Sequence, residues 1–572
     1  MRDRGSEGRN SATIVLGGEA GQGIQTIEFI LARVLKRSGY HIFSTKEYMS
    51  RIRGGTNTIT IRVSDRPVAA LAHRVDLLVP LHRSVLEHVG DRMREDTLIL
   101  GDAGVLDAGP RTVHAPLSEI AREAGGKIYE NTAAVGILAG ALDADRQVLA
   151  DYVREYFARK KPEVIEHNEA AALAGHAWGL ALRGEGKVPF SIPRNPEVRG
   201  NLLISGAEAV GLGAIAGGCN FVSSYPMSPS TAVLTFLAAH DESFGIVAEQ
   251  AEDEIAAVNM AVGAWYSGAR AMATTSGGGF ALMEEGISLA GMLETPLVIH
   301  LAQRPGPATG LPTRTEQGDL ELALYAGHGE FPRVVYAPGS TRECFLLTAR
   351  AFDVADRCQV PVFILTDQYT MDTYYDIPGL DLEAVPFRKH IVKSPADYLR
   401  YRITENGISP RAVPGFGDGL VTADSDEHDE AGHITEDMGV RVAMVDKRLR
   451  KAASLDAEAL GPVFAGPEDY SILLAGWGST HHVISEALEL SGRTDTACLH
   501  FPQVYPFPSR ARRYLEQAQK VVVVENNATG QFARLLNLHG GREADELILR
   551  YDGLAFTVEE LTEAIGALEG ED

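Results

Sequence analysis

Cysteine is scarce in this sequence of 572 residues. The chain has four cysteines, Cys219, Cys344, Cys358 and Cys498, and none of them forms a Cys-x-x-Cys pair. Zinc sites and iron–sulfur clusters need closely spaced thiolates. This spacing therefore argues against a cluster or a thiolate zinc site in this chain, and any cluster that the protein uses must be held by another chain. We expect four buried, reduced, structural thiols.

Basic charge and long apolar runs are also in short supply. Against 77 acidic residues there are 53 basic ones, which gives a net charge of −24, so nucleic acid and anionic membrane surfaces are unsuitable partners. No uninterrupted apolar run is long enough to span a bilayer. The first seven residues, Met-Arg-Asp-Arg-Gly-Ser-Glu, lack the apolar segment of a signal peptide. We expect a cytoplasmic protein.

Aromatic residues are sparse at 7%, whereas glycine is abundant at 59 residues and 45% of the chain is hydrophobic. Many small residues suit tightly packed α/β units. At roughly 100–200 residues per domain, three or four domains are expected. Short apolar strands alternate with helical stretches, which predicts several mainly parallel, doubly wound α/β domains. The predicted segments are a front domain at 1–190, a Pro-rich linker at 191–200, a middle domain at 201–390, an irregular connecting segment at 391–462 and a last α/β domain at 463–572.

The front domain opens with a strand that leads into a glycine-rich turn. Strand Ala12–Leu16 is followed by Gly17-Gly-Glu-Ala-Gly-Gln-Gly23 and by a helix with an apolar face. Strand, glycine-rich turn and helix together are the layout of a phosphate loop. The glycines do not fall as G-x-G-x-x-G. Two interpretations stay open: tight strand–helix packing, or a phosphate or coenzyme A (CoA) site formed by Gly18, Gly21, Gln22 and Gly23.

A helix of small and apolar residues begins at Glu254. Asp253 is placed to cap it, and Ala256, Val258, Met260 and Val262 predict a buried helix. An acid at the edge of a buried apolar helix is costly unless it has a partner. By this pattern alone, Glu254 is either a first-turn acid favoured by the helix dipole or a functional carboxyl.

Motifs in and around this helix resemble the 2-oxoacid:ferredoxin oxidoreductases. The spacing of Glu254, Ala257 and Gly263 resembles the pyrimidine-domain motif of thiamine diphosphate enzymes. Tyr225-Pro-Met-Ser-Pro-Ser-Thr231 resembles the family's Tyr-Pro-Ile-Thr-Pro, and Ala273–Met283 its Thr-Ser-Gly-Pro-Gly-Phe run. The run Gln303–Asp319 is similar to Arg-x-Gly-Pro-Ser-Thr-Gly-Leu-Pro-Thr-Arg. The opening glycine-rich stretch resembles the family's gamma subunit, here fused in front of an alpha subunit.

The chain departs from the family pattern at a few positions, and none of the departures removes a reactive group. Ser228 replaces Thr, Met227 replaces Ile, Gly278 replaces Pro and Ala20 replaces Gly.

The resemblance implies a role for each matching residue. Glu254 would hydrogen-bond N1′ of the cofactor's aminopyrimidine and act as a general acid–base through it. Ser228 would stand near the substrate ketone, or is only a turn residue. Arg304 and Arg314 would grip the substrate carboxylate, or form loop salt bridges. The expected catalytic residues are Glu254, Ser228 and Arg314; the cofactor-binding residues are Glu254, Tyr225, Pro226, Thr275, Ser276 and Gly277; the substrate-binding residues are Ser228, Arg304, Thr313 and Arg314.

The sequence shows no diphosphate-binding motif of the usual thiamine type. Gly417-Asp418-Gly419 lacks a following asparagine pair at a suitable distance, and we interpret Asp418 as a turn residue. The resemblance therefore implies a beta subunit that holds the diphosphate, Mg²⁺ and a [4Fe–4S] cluster, with no metal held by this chain. Residues 424–433, with His428 and His433, suggest either a metal site or a solvated, structured loop, and we favour the loop.

The resemblance implies a fold and an activity. We expect a thiamine diphosphate pyrimidine-type middle domain and a transketolase C-terminal-like last domain. The activity would be oxidative decarboxylation of a 2-oxoacid to an acyl-CoA with reduction of ferredoxin, or the reverse, in an (alpha–beta)2 heterotetramer. The gamma–alpha fusion favours 2-oxoglutarate, with succinyl-CoA as product; pyruvate or a branched-chain 2-oxoacid is the alternative. A lipoamide-linked 2-oxoacid dehydrogenase, a transketolase-type enzyme and a non-catalytic scaffold chain are the rival classes.

Overall fold

A computed structural model describes residues 10–19, 21–50, 55–107, 109, 111–385 and 387–569. The first seven residues, for which the sequence predicts no signal peptide, and Ala20, which departs from the family pattern, lie outside these ranges. The chain divides into two compact units. The first comprises the chain up to Ile204, with Asp372–Gly379 and Thr557–Glu560; the second comprises Ser205–Met371, Leu380–Phe556 and the chain from Leu561 onward.

The strands, in chain order, are β1 (Ser11–Glu19), β2 (His41–Glu47), β3 (Thr56–Ser64), β4 (Val75–Pro80), β5 (Met93–Gly101), β6 (Thr112–His114), β7 (Leu202–Ser205), β8 (Phe221–Ser224), β9 (Val247–Gln250), β10 (Ala271–Thr275), β11 (Leu297–Gln303), β12 (Val334–Tyr336), β13 (Pro361–Asp367), β14 (Tyr374–Ile377), β15 (Val463–Ala465), β16 (Ile472–Trp477), β17 (Thr496–Phe501), β18 (Gln503–Tyr505), β19 (Lys520–Glu525) and β20 (Glu546–Leu549).

The α-helices, in chain order, are α1 (Ile24–Ser38), α2 (Ser84–His88), α3 (Leu117–Glu123), α4 (Glu130–Ala141), α5 (Arg146–Phe157), α6 (Pro162–Gly184), α7 (Gly206–Ala216), α8 (Thr231–Ala238), α9 (Asp241–Phe244), α10 (Glu254–Tyr266), α11 (Gly277–Leu282), α12 (Glu284–Met292), α13 (Leu320–Tyr325), α14 (Thr341–Cys358), α15 (Gln368–Asp372), α16 (Met438–Ala457), α17 (Thr480–Ser491), α18 (Arg512–Gln517), α19 (Gln531–Leu535) and α20 (Val558–Gly566).

The front sheet combines parallel and antiparallel ladders, in the order β6-β5-β4-β1-β3-β2-β14-β7. Strand β1 runs parallel to β4 and antiparallel to β3. It extends through Glu19, so Gly17 and Gly18 are strand residues paired with Thr58 and Asn57, which corrects the predicted turn. The strand needs glycine at position 17, because a Cβ there would lie 2.4 Å from Val85 Cγ1.

The second unit carries two sheets, in the orders β18-β12-β13-β11-β10-β8-β9 and β15-β17-β16-β19-β20. Their ladders are parallel except for β12–β18 and β15–β17. The predicted α/β class with mainly parallel sheets is confirmed. The five-segment division stays a prediction; two strands, β14 and β18, pair outside their predicted segments.

The predicted irregularity of 391–462 is wrong over its second half, where α16 runs for 20 residues. Its N-cap is Asp437, whose side chain accepts a hydrogen bond from Val440 N. Its buried positions include Lys447, Arg448 and Lys451. A helix that buries cations shows no apolar stripe, so hydrophobic periodicity missed it.

All four cysteines are buried and unpaired, as expected. None of the helices within the described ranges has the length and apolar character required to cross a membrane.

Candidate functional site

Three neighbouring parallel strands, β8, β10 and β11, end at one edge of the seven-stranded sheet. Loops at the carboxyl ends of parallel strands are the usual place for ligands in open α/β sheets. The segments that leave this edge begin at Tyr225, Ser276 and Arg304. The topology therefore brings three of the motifs from the sequence together.

Glu254 lies in the first turn of α10. The Asp253 side chain caps the helix through Ala256 N at 2.7 Å, as predicted. The Glu254 side chain is buried, and its Oε1 has no hydrogen-bond partner among the described residues. Burial raises the pKa of Glu254 above its usual value, because a charged carboxyl loses its solvation. The carboxyl is thereby prepared to hold a proton and is available to a ligand.

The prediction that α10 is buried all round is wrong. Ile255 is 49% exposed and Met260 is 39% exposed. Ala257 and Val258 lie on the buried face of α10, whereas Ile255, Asn259, Met260 and Gly263 are exposed.

The first turn of α11, which follows β10 and contains Gly277, Gly278 and Gly279, lies against the Glu254 carboxyl. We call it the glycine turn. A Cβ on Gly279 would lie 2.2 Å from Thr275 Oγ1 and 2.5 Å from Glu254 Oε1. Thr275 and Ser276 are fully buried, and Ser276 Oγ has no partner within the described part of the chain. Glycine at position 279 thus leaves room for the Glu254 carboxyl beside the Thr275 hydroxyl.

Arg304 is hydrogen-bonded to the Tyr225–Ser228 segment. Its Nη1 donates to Ser228 O at 2.7 Å, while its Nε is buried and unpartnered in the described structure. Burial lowers the pKa of Arg304, whereas the charges of Asp319 and Glu254 raise it. Ser228 and Tyr225 are exposed and Pro226 is half-buried. The guanidinium therefore lies beside Ser228 with hydrogen-bonding capacity to spare.

The loop that carries Thr313 and Arg314 is fixed from the opposite side. Thr315 N donates to Gly553 O at 3.1 Å, and Gln317 Nε2 donates to Trp477 O at 2.7 Å. Both Thr313 and Arg314 are half-buried. A Cβ on Gly553 would lie 3.2 Å from Arg314 Cβ, which places the root of the Arg314 side chain against the strand-end loop after β20.

Asp319 was not singled out from the sequence. Its Oδ2 is buried and unpartnered among the residues described, and a Cβ on Gly277 would lie 2.5 Å from it. Burial and the neighbouring Glu316 raise the pKa of Asp319 to about 7, although Arg304 opposes the shift. The only sequence signal was its place at the end of the Gln303–Asp319 motif.

The acidic, histidine-bearing loop is structured but only partly solvated. His428 is fully buried with its ring centroid 3.8 Å from that of Tyr401, which corrects the expectation for that residue. Glu427 pairs with Arg448 and Arg441. Asp418 lies in a turn, where its N donates to Ser394 O at 2.8 Å. No group of three or more His, Cys, Asp or Glu side chains in the described ranges is arranged to hold a metal ion.

In the first unit, the shortened glycine turn precedes α1. Gly23 is the N-cap of α1 with φ 75°. Gln22 Oε1 accepts from Glu19 N at 2.6 Å, and Asn131 Nδ2 donates to Gln22 O at 3.0 Å. A cavity of about 630 Å³ adjoins the turn; its lining includes Gln22, Leu81, Asp102, Ser118, Lys127 and Asn131.

Two family models match the chain. The one described as "Pyruvate flavodoxin/ferredoxin oxidoreductase, thiamine diP-bdg" matches residues 212–447. The one described as "Pyruvate ferredoxin/flavodoxin oxidoreductase" matches residues 13–178.

Full-length relatives and a solved structure agree with these matches. The chain is 30% identical over 626 aligned positions to the 2-oxoacid:ferredoxin oxidoreductase subunit alpha of Sulfolobus sp, with 96% of each chain covered. It is 29% identical to the 2-oxoglutarate oxidoreductase subunit KorA of Mycobacterium tuberculosis, covering 97% of this chain and 91% of the relative. The structure of 2-oxoglutarate:ferredoxin oxidoreductase from Magnetococcus marinus, with 2-oxoglutarate, coenzyme A and succinyl-CoA bound, superposes with a TM-score of 0.91 at 29% identity, covering 97% of this chain and 99% of that one.

Proposed function

The chain belongs to the alpha subunits of the 2-oxoacid:ferredoxin oxidoreductases, and we propose that its substrate is 2-oxoglutarate. With a beta subunit it would convert 2-oxoglutarate, CoA and two oxidised ferredoxins into succinyl-CoA, CO₂, two reduced ferredoxins and a proton, or run the reverse. The observation that carries the site is the buried, unpartnered Glu254 Oε1 beside the Gly277–Gly279 turn. The choice of 2-oxoglutarate is supported by the KorA relative and the Magnetococcus marinus enzyme.

The cleft residues fit an aminopyrimidine. An unpartnered buried carboxyl with a raised pKa suits donation to a ring nitrogen, and glycine at position 279 leaves that carboxyl its place. When bound, thiamine diphosphate would supply the nucleophilic carbon for attack on the ketone. Glu254 would hold the proton at N1′, and Thr275, Ser276 and Gly277 would enclose the ring. Tyr225 and Pro226 would complete the cofactor pocket.

Substrate recognition would fall to the cations and hydroxyls around this cleft. Arg304 has an unpartnered Nε beside Ser228, so a carboxylate at that point would satisfy it. Ser228 would face the ketone, and Thr313 and Arg314 would contribute from the anchored loop.

The front-domain cavity would receive CoA. The N-terminus of α1 and Lys127 suit phosphate groups. Gly18, Gly21, Gln22 and Gly23 are the residues proposed for this loop, with Gly18 acting from the end of β1. Hydrogen exchange of residues 21–30 should slow when CoA is added, and Lys127→Ala should weaken the protection while Lys161→Ala, at an exposed position, should not. Unchanged exchange would contradict CoA binding here.

A beta partner would supply the diphosphate site, Mg²⁺ and the [4Fe–4S] cluster. This proposal is supported by the burial of the four cysteines, which are unpaired, and by the exposed Ile255 and Met260 on the helix that carries Glu254. An (alpha–beta)2 assembly and a cytoplasmic location stay predictions from the sequence.

The decisive experiment is an assay of the co-purified alpha–beta complex. Ferredoxin reduction is measured with 2-oxoglutarate, pyruvate and a branched-chain 2-oxoacid, each with and without CoA. We expect the highest kcat/KM for 2-oxoglutarate and a strict requirement for CoA. Failure to turn over any of these substrates would contradict the proposal, and a preference for pyruvate would correct the substrate.

Glu254→Gln tests the carboxyl within the same complex. It should lower kcat by about 10²–10⁴-fold, the usual contribution of a general acid–base group. Glu252→Gln, at an exposed neighbouring carboxyl, should retain activity. Thiamine diphosphate binding, monitored by fluorescence, distinguishes a variant that has lost the chemical step from one that no longer binds the cofactor.

A further inference from the structure

Two carboxyls lie against the glycine-rich first turn of α11. Gly279 leaves room for Glu254 Oε1, and Gly277 leaves room for Asp319 Oδ2; each oxygen would lie 2.5 Å from a Cβ at the respective glycine. Both oxygens are buried and unpartnered in the described part of the protein. Buried polar atoms are normally satisfied, so this pair marks a place where ligand atoms belong.

The main chain at Asp319 is fixed although its carboxyl is not. Gln303 Oε1 accepts from Asp319 N at 3.0 Å, and Gln303 Nε2 donates to Thr366 O at 3.0 Å. Asp319 O in turn accepts from Ala323 N in the first turn of α13. The main chain of Asp319 is therefore held in place at the cleft, while the Oδ2 atom of its side chain has no hydrogen-bond partner in the described part of the protein.

Arg304 is the nearby cation for both carboxyls. Its charge acts on Asp319 and Glu254, yet no ion pair of Arg304 within 4.0 Å is found among the described residues. Glu316, on the same loop as Asp319, adds negative charge. On α13, Glu321 is paired with Arg534 at 2.7 Å. Arg304 thus feels the charge of two carboxyls, and its unpartnered Nε keeps hydrogen-bonding capacity for an external carboxylate.

We infer that Asp319 sets the pH dependence of 2-oxoacid binding: ionised Asp319 competes with the substrate carboxylate for the charge of Arg304, and binding of that carboxylate drives a proton from solvent onto Asp319. This inference rests on the proposed function, because it takes Arg304 as the site for the 2-oxoacid carboxylate. Asp319 is here a specificity-determining residue for an anionic substrate.

The sign of the effect follows from the charges. A bound carboxylate at Arg304 removes the cation that favours ionised Asp319 and adds a like charge, so the pKa of Asp319 rises on binding. Below about pH 7 Asp319 already carries the proton in the free enzyme, and affinity there is high. Above that pH each binding event takes up a proton, so Kd rises with pH by up to about tenfold per unit.

The test uses the alpha–beta holoenzyme and a ligand that cannot be decarboxylated, the 2-hydroxy analogue of the preferred 2-oxoacid. Calorimetry in buffers of different ionisation enthalpy counts the protons taken up between pH 6 and 8.5. Above pH 7, ligand binding to the wild-type complex should be accompanied by the uptake of at most one proton. Asp319→Asn should take up none, bind with a flat pH profile over this range and bind more tightly than wild type at pH 8.5.

Glu316→Gln is the matched variant. Glu316 raises the pKa of Asp319. Glu316→Gln should therefore keep the proton uptake on binding, but the pH above which Kd begins to rise should be lower than in wild type. Unchanged proton uptake in folded, cofactor-binding Asp319→Asn would overturn this inference while leaving the proposed function intact. An assembled complex that turns over no 2-oxoacid would overturn both.

Discussion

Gly279 and Glu254 are so close that the carboxyl occupies the place where a residue-279 side chain would begin: a Cβ at position 279 would lie 2.5 Å from Glu254 Oε1 and 2.2 Å from Thr275 Oγ1. The side chains of Glu254 and Thr275 are both buried, so neither can move aside into solvent. Any residue other than glycine at position 279 must therefore displace the group proposed to hold the cofactor's proton.

Gly279→Ala should therefore damage the site, because Glu254 would be pushed from its place. We expect kcat to fall by about 10²-fold, as displacement of a catalytic group by 1 Å can cost that much. Gly278→Ala is the matched control, because its nearest contact would be Ala308 O at 3.7 Å. Steady-state kinetics of the assembled complex measure both, and equal activity of the two variants would contradict the assigned position of Glu254.

The sequence predicted the strands beneath this site closely. The apolar runs Phe221–Ser224 and Ala271–Thr275 predict two strands, because buried parallel strands appear as short apolar runs, and β8 and β10 have these bounds. The pairing of Tyr374–Ile377 with β2 was not predictable, because it joins segments more than three hundred residues apart in the chain.

The site was predictable as a set of motifs but not as a set of distances. Glu254 and Arg304 could be named from the resemblance, whereas the contact of Arg304 with the Ser228 carbonyl arises only when β8 and β11 end at the same edge. The raised pKa of Asp319 arises from its burial and from the neighbouring charge of Glu316, and the spacing of the motifs indicates neither.

Arg304→Ala should raise KM for the 2-oxoacid more than it lowers kcat. Loss of a charge-assisted hydrogen bond costs about 1.5–3 kcal/mol, or roughly 10–100-fold in KM. Arg304→Lys should recover part of the loss, because it keeps the charge but not the paired donors. Arg314→Ala, near Gly553, should have the smaller effect. A larger KM effect at Arg314 would transfer the carboxylate-binding role to that residue.

Met260→Lys should weaken assembly with the beta partner. Met260 is 39% exposed on the outward face of α10, near the exposed Ile255, and a charge at the centre of a protein interface is strongly unfavourable. Leu490→Lys, at a 53% exposed position on α17, is the control. Co-purification and size-exclusion chromatography measure the outcome. If Met260→Lys and Leu490→Lys assembled equally well, this face of α10 would not be the interface.

Glu294 should be among the residues on which the stability of the second unit most depends. Its two oxygens bind Lys447 Nζ at 2.6 Å and Lys451 Nζ at 2.5 Å, and all three side chains are buried. Burial alone would raise the pKa of Glu294, but the two ammonium groups outweigh it and lower that pKa from 4.5 to about 2. A depressed carboxyl pKa contributes stability above the unfolded value, and this contribution is lost as the pH falls from about 4.5 to 2.

Glu294→Gln would leave two buried ammonium groups with a neutral partner. We expect a loss of about 3–5 kcal/mol in the free energy of unfolding at pH 7. Glu546→Gln, which removes the partly exposed pair with Lys520, should cost about 1 kcal/mol or less. Denaturant unfolding of the two variants at pH 7 and at pH 3 measures both effects. The gap between Glu294→Gln and wild type should narrow at pH 3, because the carboxyl is then protonated in the unfolded chain while its pKa of about 2 keeps it ionised in the folded protein, so wild type loses stability through proton uptake on unfolding. A gap that stayed constant from pH 7 to pH 3 would show that the triad does not stabilise the fold through the charge of Glu294.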